Sequence, residues 1–271
     1  MIRRVATYAV LTAGLIPLLL PFYWMFITSL KEKREVFTPT PHWWPAHLAW
    51  GNYAAAWNAE PFAHFFVNSI FVSSVIVLLQ LVTASLAAFA LARFRFPGRN
   101  AAFVFTLAAL IVPLQVTFIA NFITLARLHW LNSYEGLIAP YAASAFGTFL
   151  LRQAFMGVPQ QVEDAARLDR CTGLSFLWHI LVPLSRPAIL AFALVAFVYH
   201  WNDYFWPLIV TTNNSVRTLP IGLGMFIGQE VTTDWNLLMA ASLFISAPML
   251  LLFFFLQRYF VQSFLRSGIR G

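Results

Sequence analysis

Long apolar stretches are the feature of this sequence that most constrains its fold. An α-helix rises about 1.5 Å per residue and the hydrocarbon core of a bilayer is about 30 Å thick, so about 20 mostly apolar residues can cross it as one helix. Stretches of that length lie near residues 5–30, 65–93, 101–128, 136–156, 185–210 and 237–260. They are too long and too continuous for barrel strands, which alternate over about 10 residues.

Six such stretches leave no room for a separate soluble domain. The composition agrees, because 60% of the residues are hydrophobic, whereas soluble domains have roughly 45–50%. The sequence therefore predicts an all-α polytopic membrane protein with six transmembrane helices, in which residues 1–271 form a single transmembrane domain.

The net charge of +7 would suggest nucleic acid in a soluble protein, but in a membrane protein lysine and arginine mark the cytoplasmic side. With the N-terminus inside, twelve arginines lie in inside segments and five lysines and arginines lie in outside segments. This asymmetry predicts that both termini are cytoplasmic, that the chain is a multi-pass membrane protein, and that no nucleic acid is bound. The single Cys171 cannot form an internal disulfide.

Several kinds of chemistry find no support in the sequence. Lys31 and Lys33 are the only lysines, and neither follows the glycine run of a phosphate-binding loop, so the chain cannot hydrolyse ATP by that route. Only His200 lies well inside a predicted span, and no metal-ligand spacing occurs. We expect no catalytic site, no metal and no cofactor in this chain, and a role in transport or interaction.

A short charged segment separates the fourth and fifth apolar stretches. From Gln160 its apolar side chains recur at helical spacing, and its charged side chains share the opposite side. Pro159 suits a first helical turn and Gly173 a helix end. The pattern predicts an amphipathic helix near residues 160–172 that lies parallel to the membrane. Its apolar residues are Val162, Ala165, Ala166, Leu168 and Cys171, and its charged residues include Glu163, Arg167 and Arg170.

A polar group interrupts the fifth stretch at Trp201, Asn202 and Asp203. An ionisable group at this depth is costly unless it faces a cavity or a partner, and Pro207 removes a backbone hydrogen bond, which predicts local unwinding. Two interpretations stay open. The group lines a translocation pathway and contacts a sugar, or it satisfies a helix break or pairs across a subunit interface.

The third stretch carries a smaller polar group. Pro113 predicts a kink, and Gln115 and Asn121 beyond it are candidates to face the same interior.

An ionisable group inside a predicted span is also compatible with a function of another class, namely a proton-coupled secondary transporter that uses Asp203.

A long outside connection, residues 211–236, precedes the last stretch. Pro220, Gly222, Gly224 and Gly228 lie there among apolar residues, which gives a backbone able to adopt positive φ and a partly apolar tip. Connections of this length are commonly functional, so we expect this one to insert into a partner.

The charged segment resembles the EAA loop of ABC importer permeases, E-A-A-x(3)-G-x(9)-I-x-L-P. Ile180 and Pro183 match that pattern, whereas Asp164, Arg170 and Val182 stand at its glutamate, glycine and leucine. Other motifs resemble the carbohydrate-uptake branch, in particular the maltose-type second permease, and also permeases for glycerol-3-phosphate. The motifs that resemble the carbohydrate-uptake branch are Trp201–Leu208, Arg217–Gly222 and Gln257–Gln262. Those that resemble glycerol-3-phosphate permeases are Trp43–Pro45, Phe146–Leu150 and Arg152.

The resemblance implies a non-catalytic permease of the bacterial inner membrane that imports a sugar or, alternatively, glycerol-3-phosphate or a related polyol phosphate. It implies three kinds of partner: a second homologous permease, two cytoplasmic ATPase subunits that bind ATP and Mg, and an external solute-binding protein reached by the 211–236 connection. It makes the amphipathic segment the coupling helix. The residues so assigned to ATPase coupling are Glu163, Asp164, Ala165, Ala166, Arg167, Leu168, Asp169, Arg170, Gly173 and Pro183.

Overall fold

The computed structural model describes the backbone of residues 2–227 and 233–267, and the side chains of residues 7–8, 10–227 and 233–254. Both ranges are helical without a strand, which confirms the all-α expectation for the described chain. In chain order the α-helices are α1 Ile2–Ser29, α2 Lys33–Val36, α3 Gly51–Ala59, α4 Phe62–Arg93, α5 Arg99–Ala109, α6 Leu114–Arg127, α7 Tyr134–Ile138, α8 Ala145–Met156, α9 Gln160–Leu168, α10 Leu174–Phe176, α11 Val182–Leu184, α12 Arg186–Trp201, α13 Phe205–Val210, α14 Leu219–Gly224 and α15 Trp235–Ser267. A 3₁₀ turn covers Ala139–Tyr141, and a π-helical turn covers Leu177–Leu181.

Three of the described helices are long and apolar enough to cross a membrane. The qualifying segments are Val10–Ser29 in α1, Phe62–Arg93 in α4 and Trp235–Phe254 in α15. Two bent pairs qualify if each counts as one span, which makes five: α5 with α6, bent by 95°, and Leu174–Leu184 with α12, bent by 82°. The stretch near 136–156 is divided between α7, the 3₁₀ turn and α8, and it is not among the five.

Prolines explain two of the interruptions. Pro113 has an extended backbone, with φ of −62° and ψ of 129°, directly before α6, and the predicted kink is confirmed as a sharp break between α5 and α6. Pro207 has no N–H to donate to the carbonyl of Asp203, four residues earlier. The helix accordingly ends at Trp201 and resumes at Phe205, so the predicted local unwinding is also confirmed.

The chain divides into two compact units, Met1–Phe66 with Thr218–Leu251 and Val67–Arg217 with Leu252–Gly271. The second unit contains the charged segment, which rests on an apolar core contributed by α4, α8, α10, the π-helical turn and α12. Burying each large apolar side chain of such a core stabilises the fold by about 1.5–3 kcal/mol. Members of this core are Ala84, Phe89, Leu151, Phe155, Ala166, Phe176, Leu177, Leu181 and Phe192.

Candidate functional site

The helix α9 presents three different faces. Successive side chains of an α-helix are 100° apart, and in α9 the side chain of Ala166 is buried in the core beside Phe155 and Phe176. A second face carries polar side chains that line a cavity, Gln160, Glu163 and Arg167. The third face is exposed and carries Gln161, Asp164, Ala165 and Leu168. The predicted amphipathic helix is present, and it ends at Leu168.

The exposed face of α9 includes an unusually exposed apolar side chain. Leu168 is 87% exposed at the last position of the helix, beside the small side chain of Ala165, which is also exposed. A projecting leucine next to an alanine forms a knob that a partner groove can bury, and burial of one leucine contributes about 1.5–3 kcal/mol. This face is therefore suited to docking.

A buried arginine at the end of α4 holds the second face of α9. Arg93 Nη1 lies 3.2 Å from Glu163 Oε2, with 8% and 12% of the two side chains exposed. Arg93 Nη2 donates to the carbonyl oxygens of Phe155 at 2.6 Å and of Val158 at 2.8 Å. The other oxygen of Glu163 accepts from Arg167 Nη2 at 2.7 Å. One guanidinium thus joins the ends of α4 and α8 to α9.

The C-terminus of α9 is closed by Arg170 in the left-handed conformation, with φ of +57°. The Cys171 N–H donates to the carbonyl of Ala166 at 2.8 Å, and the Arg170 N–H donates to that of Arg167 at 3.0 Å. These two bonds define a Schellman motif in which Arg170 occupies the position that glycine favours. The predicted helix end at Gly173 is wrong, because the chain has already turned at Arg170.

The remaining residues of the predicted coupling set lie around this turn. Asp169 is the exposed C-cap of α9. Gly173 is exposed, has φ of +59° and precedes α10. Pro183 lies half-buried in α11. Of the ten predicted residues, Ala166 is buried, Glu163 and Pro183 are partly buried, and the other seven are exposed.

The Asp203 carboxylate lies in the break between α12 and α13. Its Oδ2 accepts from the hydroxyl of Tyr141 at 3.0 Å, and its Oδ1 accepts from the backbone N–H of Trp206 at 3.4 Å. The Trp206 indole in turn donates to the carbonyl of Gly136 at 3.1 Å. This geometry matches the interpretation in which the carboxylate satisfies a helix break.

A cavity of about 360 Å³ lies beside this break. Its polar wall includes Gln80, whose Nε2 donates to the carbonyl of Tyr141 at 2.8 Å and lies 3.1 Å from His200 Nε2. The rings of Tyr141 and His200 are 4.9 Å apart. The remaining wall is mostly apolar, and the residues that line the cavity include no lysine or arginine.

None of the five predicted pathway residues lines that cavity. Trp201 is buried and stacks on Phe197 at 5.8 Å, and Asn202 donates to the carbonyl of Val198. Asp203 is joined to the cavity wall by its hydrogen bond with Tyr141. The third-span residues lie apart from this group: Gln115 is exposed on α6, and Asn121 donates to Thr117 at 3.4 Å.

The predicted binding-protein loop contains a short helix, α14, within its described residues. Pro220 and Gly222 lie in α14 and are buried, and a methyl group at position 222 would lie 2.7 Å from Phe65 Cδ2. Pro220 and Gly222 therefore lie in a closely packed helical turn and not at a flexible tip, and their contact with a binding protein stays a prediction. Gly224 ends α14 and is half-exposed, while Gly228 lies outside the described residues.

Two parts of the site were missed from the sequence. Arg93 ends the second apolar stretch, and its partner Glu163 is 70 positions away, so no local pattern pairs them. The Gln80–His200 contact joins residues 120 positions apart. The one available signal was general: a polar or charged side chain inside an apolar stretch needs a partner, although the sequence does not say which one.

Within residues 2–227 and 233–267, no group of three or more histidine, cysteine, aspartate or glutamate side chains could hold a metal ion.

Relatives of known assignment match nearly the whole chain. Residues 80–266 match the family described as the binding-protein-dependent transport system inner membrane component. The sn-glycerol-3-phosphate transport system permease protein UgpE of Pectobacterium atrosepticum is 32% identical over 268 residues, covering 96% of this chain and 95% of the relative. The protein of that name from Escherichia coli is 34% identical over 269 residues, with the same coverage.

Two solved structures share the fold. One is described as a bacterial ABC transporter involved in the import of the acidic polysaccharide alginate, with a TM-score of 0.83, 21% identity and 96% of each chain covered. The other is a bacterial alginate ABC transporter in complex with alginate pentasaccharide-bound periplasmic protein, with a TM-score of 0.68, 13% identity and 93% of each chain covered. The chain therefore belongs to the inner membrane components of binding-protein-dependent transport systems, and it is a non-catalytic permease of an ABC importer.

Proposed function

We propose that this permease couples ATP hydrolysis by two cytoplasmic subunits to the import of a sugar, with α9 as its coupling helix. The single observation that carries the proposal is the division of α9 into a buried face, an anchored face and an exposed docking face that ends in Leu168. A helix used only for internal packing has no need of such an exposed apolar end.

Motion can pass from α9 into the membrane helices through its anchor. The guanidinium of Arg93 binds α9 through Glu163 and binds the end of α8 through two carbonyl oxygens. These bonds are short and largely shielded from water, so a displacement of α9 displaces the ends of α4 and α8 with it. Closure of an ATPase dimer on α9 would thereby tilt the permease between inward and outward openings.

The proposed topology has six spans in one transmembrane domain, with both termini in the cytoplasm. The three continuous helices and the two bent pairs supply five spans, and the interrupted α7–α8 segment supplies the sixth. The excess of arginine on the side of the α4–α5 turn and α9 supports this orientation. A second homologous permease would complete the pathway, and an external binding protein would deliver the ligand.

A neutral, hydroxyl-rich ligand suits the cavity beside the α12–α13 break. Amide, imidazole and phenol groups from Gln80, His200 and Tyr199 offer donors and acceptors beside aromatic faces. A phosphate group would favour arginine or lysine, which this lining does not include. The second candidate, glycerol-3-phosphate, is favoured instead by the names of relatives that are 32–34% identical.

Uptake by the purified complex in proteoliposomes tests the function. The complex, obtained through a tag on this chain, is expected to import labelled sugar only with ATP and the external binding protein present. Labelled glycerol-3-phosphate in a parallel assay decides between the two substrates. Uptake by this chain alone without ATP would contradict the proposal and would favour a proton-coupled transporter.

A further inference from the structure

A basic cavity of about 880 Å³ lies between the α4–α5 turn and α9. Its lining includes Arg93, Arg95, Arg99 and Arg167 and the single carboxylate of Glu163, so the side chains that face it carry a net charge of +3. Glu163 is already shared by Arg93 and Arg167. Arg95 and Arg99 have no carboxylate partner among the ion pairs of the described residues.

One arginine of the lining has a buried donor without a partner. The Nε atom of Arg93 is buried and has no hydrogen-bond partner within the described part of the chain. Leaving a buried donor unpaired normally costs free energy. Arginine clusters of this kind match the geometry of phosphate oxygens, so the excess charge is best matched by a phosphate-bearing anion.

Aromatic side chains alternate with the arginines of the turn. Phe94 and Phe96 flank Arg95 and are 49% and 41% exposed. Exposed aromatic rings beside arginines favour the boundary between headgroups and acyl chains. Basic pockets between membrane helices on the cytoplasmic side bind anionic lipid headgroups.

From these observations we propose that the cavity binds the phosphate of an anionic phospholipid headgroup. The acyl chains lie beside Phe94 and Phe96, and the phosphate lies between Arg95 and Arg99 with Arg167 within reach. The inference rests on the proposed topology, which puts the turn on the cytoplasmic face. The cavity is lined by the Gln160–Glu163–Arg167 face of α9, so the docking face that carries Leu168 stays free.

Such a site ties lipid composition to coupling. A phosphate beside Arg167 competes with Glu163 for that guanidinium, which leaves Glu163 to pair with Arg93 alone. The bound headgroup would thus strengthen the buried anchor of α9, and ATPase stimulation should be higher in membranes that contain anionic lipid.

Native mass spectrometry of the purified complex tests the site, with phosphatidylglycerol as the probe. The double variant Arg95→Gln/Arg99→Gln is expected to retain phosphatidylglycerol about 25-fold less tightly, because each arginine near the surface contributes about fivefold. Arg95→Lys/Arg99→Lys should keep most of the retention. Arg186→Gln removes an exposed arginine outside this cavity and should behave as the wild type.

Functional assays separate this proposal from the proposed function. In nanodiscs of phosphatidylcholine alone, added phosphatidylglycerol should raise ligand-stimulated ATP hydrolysis of the wild type but not of the double glutamine variant. Equal retention by the double variant and the wild type would overturn the lipid site even if ATP-driven uptake is normal. Stimulation by inorganic phosphate without phosphatidylglycerol would overturn the assignment to a lipid.

Discussion

Arg93 Nη1 lies 3.2 Å from Glu163 Oε2, and this buried ion pair joins two helices whose sequences are 70 positions apart. The pair is anchored further by the two carbonyl oxygens that accept from Arg93. It gives α9 a fixed position on the permease, which a coupling helix needs if its motion is to reach the membrane.

Removing the charge of Glu163 should release α9. Glu163→Gln leaves the Arg93 guanidinium buried without its counter-ion, and breaking such a pair costs about 3 kcal/mol or more. Hydrogen exchange of the α9 amides should accelerate by more than tenfold. Arg167→Gln is the matched control, because its bond to the same carboxylate involves a side chain that is 61% exposed and such pairs contribute at most about 1 kcal/mol. Equal effects of the two variants would contradict the anchoring role.

Replacing the left-handed arginine should stabilise the end of α9. A non-glycine residue in that conformation destabilises the fold by about 1–2 kcal/mol. Glycine removes this strain, but its greater flexibility in the unfolded chain offsets about 0.4–1 kcal/mol of the gain. Arg170→Gly is thus expected to stabilise the segment by about 0.5–1 kcal/mol, seen as slower exchange of the Cys171 amide. Asp169→Gly, at a neighbouring position with φ of −81°, should destabilise it. Faster exchange in Arg170→Gly would show that its side chain stabilises the turn.

A methyl group at Gly222 should disturb α14. Its Cβ would lie 2.7 Å from Phe65 Cδ2 and 3.3 Å from Phe62 Cε1, and overpacking of this kind costs about 1–3 kcal/mol. Thermal unfolding of the complex carrying Gly222→Ala should begin at a lower temperature. In the control Gly51→Ala, the added methyl group meets no atom within 4 Å, so the unfolding temperature should be unchanged. An unfolding temperature that falls equally in this control would mean that any glycine replacement is destabilising, and would contradict the role of close packing at Gly222.

Neutralising Asp203 should leave ATP-driven uptake close to the wild-type rate. Asparagine keeps an oxygen that can accept from Tyr141 or from the Trp206 N–H, which are the contacts that Asp203 makes in the helix break. Asp203→Leu removes both acceptors and should lower the yield of folded complex. Loss of uptake in a well-folded Asp203→Asn complex would instead indicate that the carboxylate takes part directly in transport.

The local pattern of the sequence sufficed to predict α9, the kink at Pro113 and the unwinding before Pro207, because helical spacing and proline act over a few residues. It did not predict the division of the 136–156 stretch, although Ser133 and Ser144 cap α7 and α8 by accepting from the N–H groups of Gly136 and Gly147. The stretch was predicted as one continuous span because of its apolar composition, and the two capping serines were not recognised.

The other features that the sequence did not predict are contacts between residues that are far apart in the chain. Nothing near Arg93 in the sequence shows that it meets Glu163, and nothing near Gln80 shows that it meets His200. The family pattern has glycine at position 170, whereas Gly173 in this sequence predicted a later helix end. The structure keeps the turn at position 170 and imposes the left-handed conformation on arginine. The hydrogen bonds of the Schellman motif offset that strain locally.

Ligand-stimulated ATP hydrolysis by the assembled complex tests the central claim, that α9 docks on the ATPase through its exposed face. Asp164→Lys and Leu168→Asp change side chains that are exposed, so membrane insertion should be normal while stimulation falls by about tenfold or more. Gln153→Lys, at an exposed position of α8, should retain full stimulation. Normal stimulation in both α9 variants would contradict coupling through this helix.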